Sequence, residues 1–287
     1  MVQQMLSGTL VGDRYEIETE VARGARGVIY KSREKNSGKV VAIKVLTDDM
    51  INDESAFDRF SVEAQTASVL KHPNIINVFD FGLTDDGFAY LVMEYLEGPT
   101  LQEVIDAETR LSLRRAVTIF IQIADALGYA HSKGTLHRDV KPENIILWKS
   151  GATLEYAKVV DFGIARRFSV LPGADLATEG QCLGTPGYMS PEQVMGERHL
   201  DARTDIYSLG CLMYTAITGV MPITAPTPDE ILSRHLSVDP LPLSKACPGA
   251  LIPGNVQEVV LKTLKKFPEH RYQTMAQLKA DLELLLR

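Results

Sequence analysis

Near Gly98 the hydrophobic pattern of this chain changes its period, and that change limits the folds open to it. Between Tyr15 and Leu96 apolar residues alternate in short runs: YEIETEV, GVIYKSR, a turn at NSGK, VVAIKVL and later FAYLVMEYL. A period of two describes strands that bury one face. One helix interrupts them, at about 55–71, where Phe57, Phe60, Ala64 and Ala67 recur at helical spacing before HPN breaks the pattern; Glu63 sits beside that stripe. Beyond Gly98 the period is helical, most clearly in SLRRAVTIFIQIADALGYAHSKG, with Val117, Phe120, Ile121, Ala124 and Leu127 as a core face. Ser112 is placed to cap that helix and Gly134 to end it. TPDE at 227–230 has capping-box spacing, with Pro228 in the first helical position. The expectation is an α+β fold with a small strand-rich front and a larger helical rear, joined near MEYLEG.

With 287 residues, 45% of them hydrophobic, the chain can bury a proper core. Its net charge of -7 is spread without a basic tract, which disfavours nucleic acid or an acidic membrane surface as partner. The three cysteines, Cys182, Cys211 and Cys247, are odd in number and far apart. That fits neither a disulfide framework nor a metal cage, and suits a reducing cytoplasm. No apolar run reaches the roughly 20 residues of a membrane span, and MVQQMLSG lacks the regions of a signal peptide. The helical pattern of LKADLELLLR carries no stop signal, so the chain is expected to be the cytosolic part of a longer protein.

The polar residues fall into sets with a chemical logic. Gly24 and Gly27 lie between strand-like segments, where absent side chains let backbone amides approach phosphate oxygens; a plain glycine-containing hairpin is the alternative. In VVAIKV, Ala42 and Lys44 share a face, opposite Val41, Ile43 and Val45. Ala42 leaves room for a flat base, and Lys44 can reach its phosphates, steadied by Glu63; an ordinary edge charge is the alternative. LHRDVKPENIIL gathers Asp139, Lys141 and Asn144 ahead of an apolar strand, and one hairpin later KVVDFG supplies Asp161. Asn144 and Asp161 are hard oxygen donors suited to Mg²⁺. Asp139, an ordinary carboxylate of pKa about 3.9, would orient a hydroxyl and take its proton late. Lys141 would neutralise charge on a transferred group. A solvated turn would account for one acid but not for the whole set.

These motifs in this order, namely the glycine loop, VAIK, a helix glutamate, HRDVKPEN, DFG, GTPGYMSPE and DIYSLG, resemble a eukaryotic-type serine/threonine protein kinase of the kind common in bacteria, from about Tyr15 to Leu285. The resemblance implies one bilobal catalytic domain over 1–287, with an N-lobe at about 10–93, a hinge at 94–98 and a C-lobe at 99–287. It implies ATP and Mg²⁺ as cofactors and serine or threonine hydroxyls of proteins as acceptors. Lys44, Glu63, Asp139 and Lys141 would be catalytic, and Asn144 and Asp161 would hold the metal. Val21, Gly24, Gly27, Val28, Ala42, Lys44, Met93, Glu94, Leu96 and Ile146 would surround the nucleotide, with Val28, Ala42 and Ile146 sandwiching adenine. Arg138, Glu192, Asp205 and Arg271 would support the catalytic loop and the activation segment.

The sequence departs from that pattern in four places. Ala22 stands where the first loop glycine is usual, Arg26 occupies the loop tip, Ser190 replaces the alanine of APE, and the hairpin WKSGATLEYAK is long. In similar kinases the arginine before the catalytic aspartate pairs with a phosphate on the activation segment. Here that segment offers Ser169, Thr178 and Thr185. Thr178 is expected as the main site, while Thr185 resembles a threonine that contacts Asp139 and Lys141. Front-lobe dimers occur among similar bacterial kinases, and the resemblance implies a homodimer for autophosphorylation as a partner state of this chain. Two other readings compete: a pseudokinase acting as a nucleotide-binding or scaffolding module, and a small-molecule kinase, against which the peptide-binding segment GTPGYMSPE argues.

Overall fold

The computed structural model describes residues 7–24, 27–49, 54–150, 154–162 and 185–287. They divide into two compact units, one made of the chain through Lys71 with Ile75–Glu97, the other of His72–Asn74 and the chain from Gly98 on.

The first unit is a six-stranded antiparallel sheet with one helix. Its strands are β1 (Leu10–Val11), β2 (Tyr15–Gly24), β3 (Gly27–Glu34), β4 (Val40–Asp49), β5 (Val78–Leu83) and β6 (Phe88–Glu94), in the order β1-β2-β3-β4-β6-β5, with α1 at Glu54–Ser68. Val28 opposes Val45, Tyr30 opposes Ile43 and Ser32 opposes Val41. Their apolar members join Tyr15, Ile17, Tyr90 and Val92 in one buried cluster. On the other face Leu46, Ala89 and Leu91 pack against Phe60, Ala64 and Ala67 of α1, with Phe57 and Phe81 alongside. Strand alternation therefore puts Ala42 and Lys44 on the α1 side of the sheet. The helix ends at Ser68 and not near 71, because Pro73 pushes His72 out of helical geometry and the chain unwinds ahead of it.

The second unit is largely helical: α2 (Leu101–Glu108), α3 (Leu113–Ser132), a hairpin of β7 (Ile145–Ser150) and β8 (Leu154–Val159), α4 (Pro191–Val194), α5 (Ala202–Thr218), α6 (Pro228–Ser237), α7 (Leu243–Ala246), α8 (Gly254–Thr263) and α9 (Met275–Leu284). Every residue of α5 from Thr204 to Thr218 is buried, so this helix is the core on which α3, α7 and α8 pack. The buried stripe of α3 is centred on Ala116, Phe120, Ile123 and Leu127. Ile121, expected on the core face, is left at its edge, half-buried. Ser112 holds the N-cap position of α3 without a side-chain hydrogen bond, and Gly134 follows the helix at φ +75. Thr227 accepts the Glu230 N–H at 3.3 Å to open α6. Among the described residues no helix is long and apolar enough to cross a membrane.

A pH response follows from the core of this unit. His235 is fully buried, its Nδ1 lies 2.8 Å from the Tyr207 hydroxyl, and burial lowers its pKa from 6.5 to about 4. The folded chain thus refuses a proton that the unfolded chain accepts once the pH is below 6.5. Stability should fall as pH drops from 6.5 to about 4, by roughly 3–4 kcal/mol in all, and this contribution should level off below that. Urea unfolding at stepped pH checks this: the parent curve should slope through the window, and that of His235→Gln should be flatter.

Candidate active site

The first unit supplies a cationic face. Lys44 is half-buried on β4, paired in register with Ile29 and Leu91, and Ala42 is paired with Lys31 and Met93. Glu63 is half-buried on α1, one residue before the buried Ala64, on the helix side that meets the sheet. One assignment needs correcting. Val28 is 1% exposed and belongs to the cluster on the opposite face, so it cannot sandwich a base against Ala42. Pairing carries Val28 with Val45, and the neighbouring Ile29 takes the Lys44 side because side chains alternate with period two. The two glycines also separate. A Cβ on Gly27, at φ +157, would stand 2.3 Å from the Val45 carbonyl oxygen, so strand packing alone requires this glycine. Among the described residues a Cβ on Gly24 would meet nothing within 4 Å, so they give no packing reason for glycine there. Val21 is half-exposed beside a β-bulge, Met93 is buried, and the Glu94 N–H is committed to the Asn77 carbonyl at 2.9 Å. Leu96 is half-buried.

The second unit holds the acid, the amide and the lysine together. Leu136 to Asn144 turns tightly, with Arg138 at φ +63, and closes in a 3-10 turn at Pro142–Asn144. Asn144 Nδ2 donates to the Asp139 carbonyl at 2.8 Å and reaches Asp139 Oδ2 at 3.3 Å. Its nitrogen faces two acceptors, so its side-chain oxygen is the atom left to meet a cation. Lys141 Nζ lies 3.4 Å from Asp139 Oδ2 and 3.3 Å from the Thr185 hydroxyl. The Val160 N–H donates to the Asn144 carbonyl at 2.9 Å, and this brings Asp161, itself at φ +59, next to the loop. Ile146, on β7, is half-buried between the fully covered Ile145 and Leu147.

Behind the loop stand buried supports. Asp205, in the first turn of α5, accepts the His137 N–H at 2.8 Å and the Arg138 N–H at 2.7 Å, and its Oδ2 is 2.7 Å from His131 Nε2. Complete burial would raise its pKa, but these bonds, His131 foremost, hold it below the ordinary value, with the helix N-terminus favouring the same charge. His137 Nε2 meets the Val160 carbonyl and its Nδ1 receives the Asp139 N–H at 3.2 Å, as a neutral ring requires. Arg271 donates to both carboxylate oxygens of Glu192, at 2.8 and 2.9 Å, and to the carbonyls of Arg203, Lys265 and Lys266. Burial pushes the Glu192 pKa up, and Arg271 brings it down below its ordinary value. Two capping boxes escaped the sequence reading, Thr100 with Glu103 on α2 and Ser190 with Gln193 on α4. The S/T-x-x-E/Q spacing would have found both.

The donor set suits magnesium. Among the described residues no three His, Cys, Asp or Glu side chains gather into a cage, and Mg²⁺ uses one or two carboxylates together with substrate phosphates instead. Asn144 and Asp161 match that chemistry. Concavity alone points elsewhere: a cavity of about 750 Å³ is lined by His72, Asp125, Tyr129, His131, Met275 and Lys279 among others. Its lysine is engaged within it, Lys279 at 2.6 Å from Asp125 and 3.9 Å from Glu283, and its lining includes no amide side chain of the kind Asn144 provides beside Asp139. Chemistry outweighs volume here. Ser169 and Thr178, and Arg26 at the loop tip, lie outside the described residues.

Residues 15–281 match the protein kinase domain family. The chain belongs to that family. The kinase domain is 38% identical over 281 residues to serine/threonine-protein kinase PknB of Mycobacterium tuberculosis, covering 97% of this chain and 44% of that protein. It is 36% identical over 277 residues to serine/threonine-protein kinase pkn3 of Myxococcus xanthus, covering 96% of this chain and 50% of that protein. It thus spans half or less of the length of these relatives. The crystal structure of the PknI kinase domain of Mycobacterium tuberculosis superposes on the kinase domain with a TM-score of 0.76 at 25% identity, covering 98% of this chain and 99% of the other. The fold is the kinase fold, a curled antiparallel sheet and a helical lobe. Nothing in these comparisons favours a pseudokinase: both relatives are named kinases, and Lys44, Asp139, Asn144 and Asp161 are all present.

Proposed function

We propose that this kinase domain transfers the γ-phosphoryl group of ATP to serine and threonine hydroxyls of protein substrates, with Mg²⁺ as the cation. The observation that carries this is the Asp139–Lys141–Thr185 group, a carboxylate and an ammonium 3.4 Å apart with a threonine hydroxyl 3.3 Å from the ammonium. Asp139 orients the acceptor hydroxyl and takes its proton as the new P–O bond forms and the bond from the γ-phosphorus to the β–γ bridging oxygen breaks, releasing ADP. Lys141 offsets charge on the phosphoryl oxygens, and Lys44, steadied by Glu63, holds the nucleotide's phosphates. Asn144 and Asp161 would hold Mg²⁺, whose charge would offset that of the nucleotide's phosphates. Ile29, Ala42 and Ile146 would line the adenine, with Val21 at the edge, Met93 behind, and Glu94 and Leu96 offering backbone groups. Thr178 remains the proposed site of activating autophosphorylation, with Arg138 receiving the phosphate, and Cys211 and Cys247, both free thiols, suit action in the cytoplasm.

Incubation with labelled ATP and Mg²⁺ tests the reading, with phosphorylated residues located by mass spectrometry. Label on serine or threonine is expected. Intact nucleotide binding with no label on any protein substrate would sink it. The glycines give a second check. Gly27→Ala should cost roughly 2–3 kcal/mol in urea unfolding because its Cβ overlaps the β4 backbone. Gly24→Ala should leave stability within about 0.5 kcal/mol and weaken ATP binding severalfold in calorimetry.

A further inference from the structure

The residue before Asp139 is held from both sides. Arg138 sits at φ +63, a left-handed conformation disfavoured for any residue with a side chain, and such a conformation persists only where its surroundings over-determine it. On its amino side Asp205 accepts the Arg138 N–H at 2.7 Å. On its carboxyl side the Gln193 Nε2 donates to the Arg138 carbonyl at 2.9 Å. The other end of the same amide, Gln193 Oε1, accepts the Ser190 N–H at 3.0 Å. A carbonyl must receive hydrogen and a backbone N–H must give it, so these two partners leave one orientation for the amide. Gln193 is 8% exposed, and Ser190, the departure from the usual APE alanine, completes the pair by accepting the Gln193 N–H at 3.3 Å.

The peptide plane joining Arg138 to Asp139 is therefore gripped at both edges. Gln193 holds its C=O and His137 Nδ1 holds its N–H, at 3.2 Å. That plane sets the direction in which the Asp139 side chain leaves the backbone. We propose that Gln193 is a positioning residue for phosphoryl transfer, clamping the Arg138–Asp139 peptide from the helix that ends the GTPGYMSPE segment, so that the aim of Asp139 depends on how α4 is seated. The inference rests on the kinase reading above.

Gln193→Glu tests it because the change is nearly isosteric. A glutamate keeps the acceptor for the Ser190 N–H and so keeps the capping box, but it turns an oxygen toward the Arg138 carbonyl in place of a donor. With label transfer by the parent established first, kcat of the variant at pH 8 should fall by about 10- to 100-fold. KM for ATP should stay within about threefold, so that the loss falls on kcat, a split that a purely structural role would not produce. The deficit should narrow toward pH 6, where a buried glutamic acid regains a proton to donate. Ser190→Ala, which removes only the cap, should hold kcat within about threefold of the parent. Should the glutamate variant fail to fold, Gln193→Met carries the same test, with a deficit of the same size that does not vary with pH. Amide hydrogen exchange across residues 135–147 should quicken in either Gln193 variant and not in Ser190→Ala. A glutamate or methionine variant with kcat within twofold of the parent at pH 8, or an equal loss in Ser190→Ala, would overturn the proposal while leaving the kinase reading intact. A parent chain without any phosphoryl transfer would overturn both.

Discussion

Asp139→Asn should lower the rate of phosphoryl transfer by about 10²- to 10⁴-fold while ATP binding stays within about threefold. The substitution preserves the shape of the side chain and keeps an acceptor for Asn144 Nδ2, which now reaches Asp139 Oδ2 at 3.3 Å. What disappears is the negative charge beside Lys141 Nζ at 3.4 Å and the capacity to take the hydroxyl proton. The nucleotide's own contacts are proposed to lie on Lys44, Asn144 and Asp161, so affinity has no reason to collapse. Steady-state kinetics with ATP titrated by calorimetry separates the two effects. Equal losses in rate and affinity would show that Asp139 shapes the site and takes no part in the transfer.

The second large effect is on stability. Arg271→Met should destabilise the chain by about 3–5 kcal/mol, because it leaves the Glu192 carboxylate buried with its charge uncompensated. Thr204 Oγ1, at 2.9 Å, is a neutral partner and cannot replace a guanidinium. The melting temperature should drop by roughly 6–15 °C. The double change Glu192→Met with Arg271→Met should recover part of that loss, since apolar groups of similar volume remove the buried charge altogether. pH adds a signature. The folded-state pKa of Glu192 lies below the ordinary 4.5, so its stabilising contribution is present above pH 4.5 and is lost as pH falls below it. Asp205, lowered by its bonds to His131 and the loop, adds to the same acid loss. The double variant should lack the Glu192 share, which urea unfolding between pH 5 and 3 would reveal.

Much of this was legible because local patterns agreed with the fold. The alternation of VVAIKV placed Lys44 and Ala42 opposite Val41, Ile43 and Val45, and the four apolar positions of α1 pack on the Lys44 side of the sheet as their spacing requires. The contrast between Val28 and Ile29 marks where this stopped working. Both are apolar β-branched residues just after Gly27, and only the pairing with β4 decides which of them is buried and which lies beside Lys44. A shift of one residue exchanges the faces, and composition does not resolve it. Ile121 fell short for a related reason. Every turn of α3 is apolar, so its stripe is centred by the neighbours it meets and not by its own residues. Ser190 looked like a small substitution, because a hydroxyl says nothing by itself about a glutamine one turn on that reaches a carbonyl far away in the chain.

The order and type of elements, the acid–lysine–amide spacing of the loop at 139–144 and the hard-oxygen character of the proposed cation ligands were determined by the sequence itself, since each depends on residues close together along the chain. Which face of β3 Val28 occupies, how Asp205 and Gln193 grip Arg138 and where Arg271 finds Glu192 were decided only by tertiary structure. Those contacts join residues tens of positions apart, and a burial or a hydrogen bond between such partners exists only after packing has brought them together and removed the water between them.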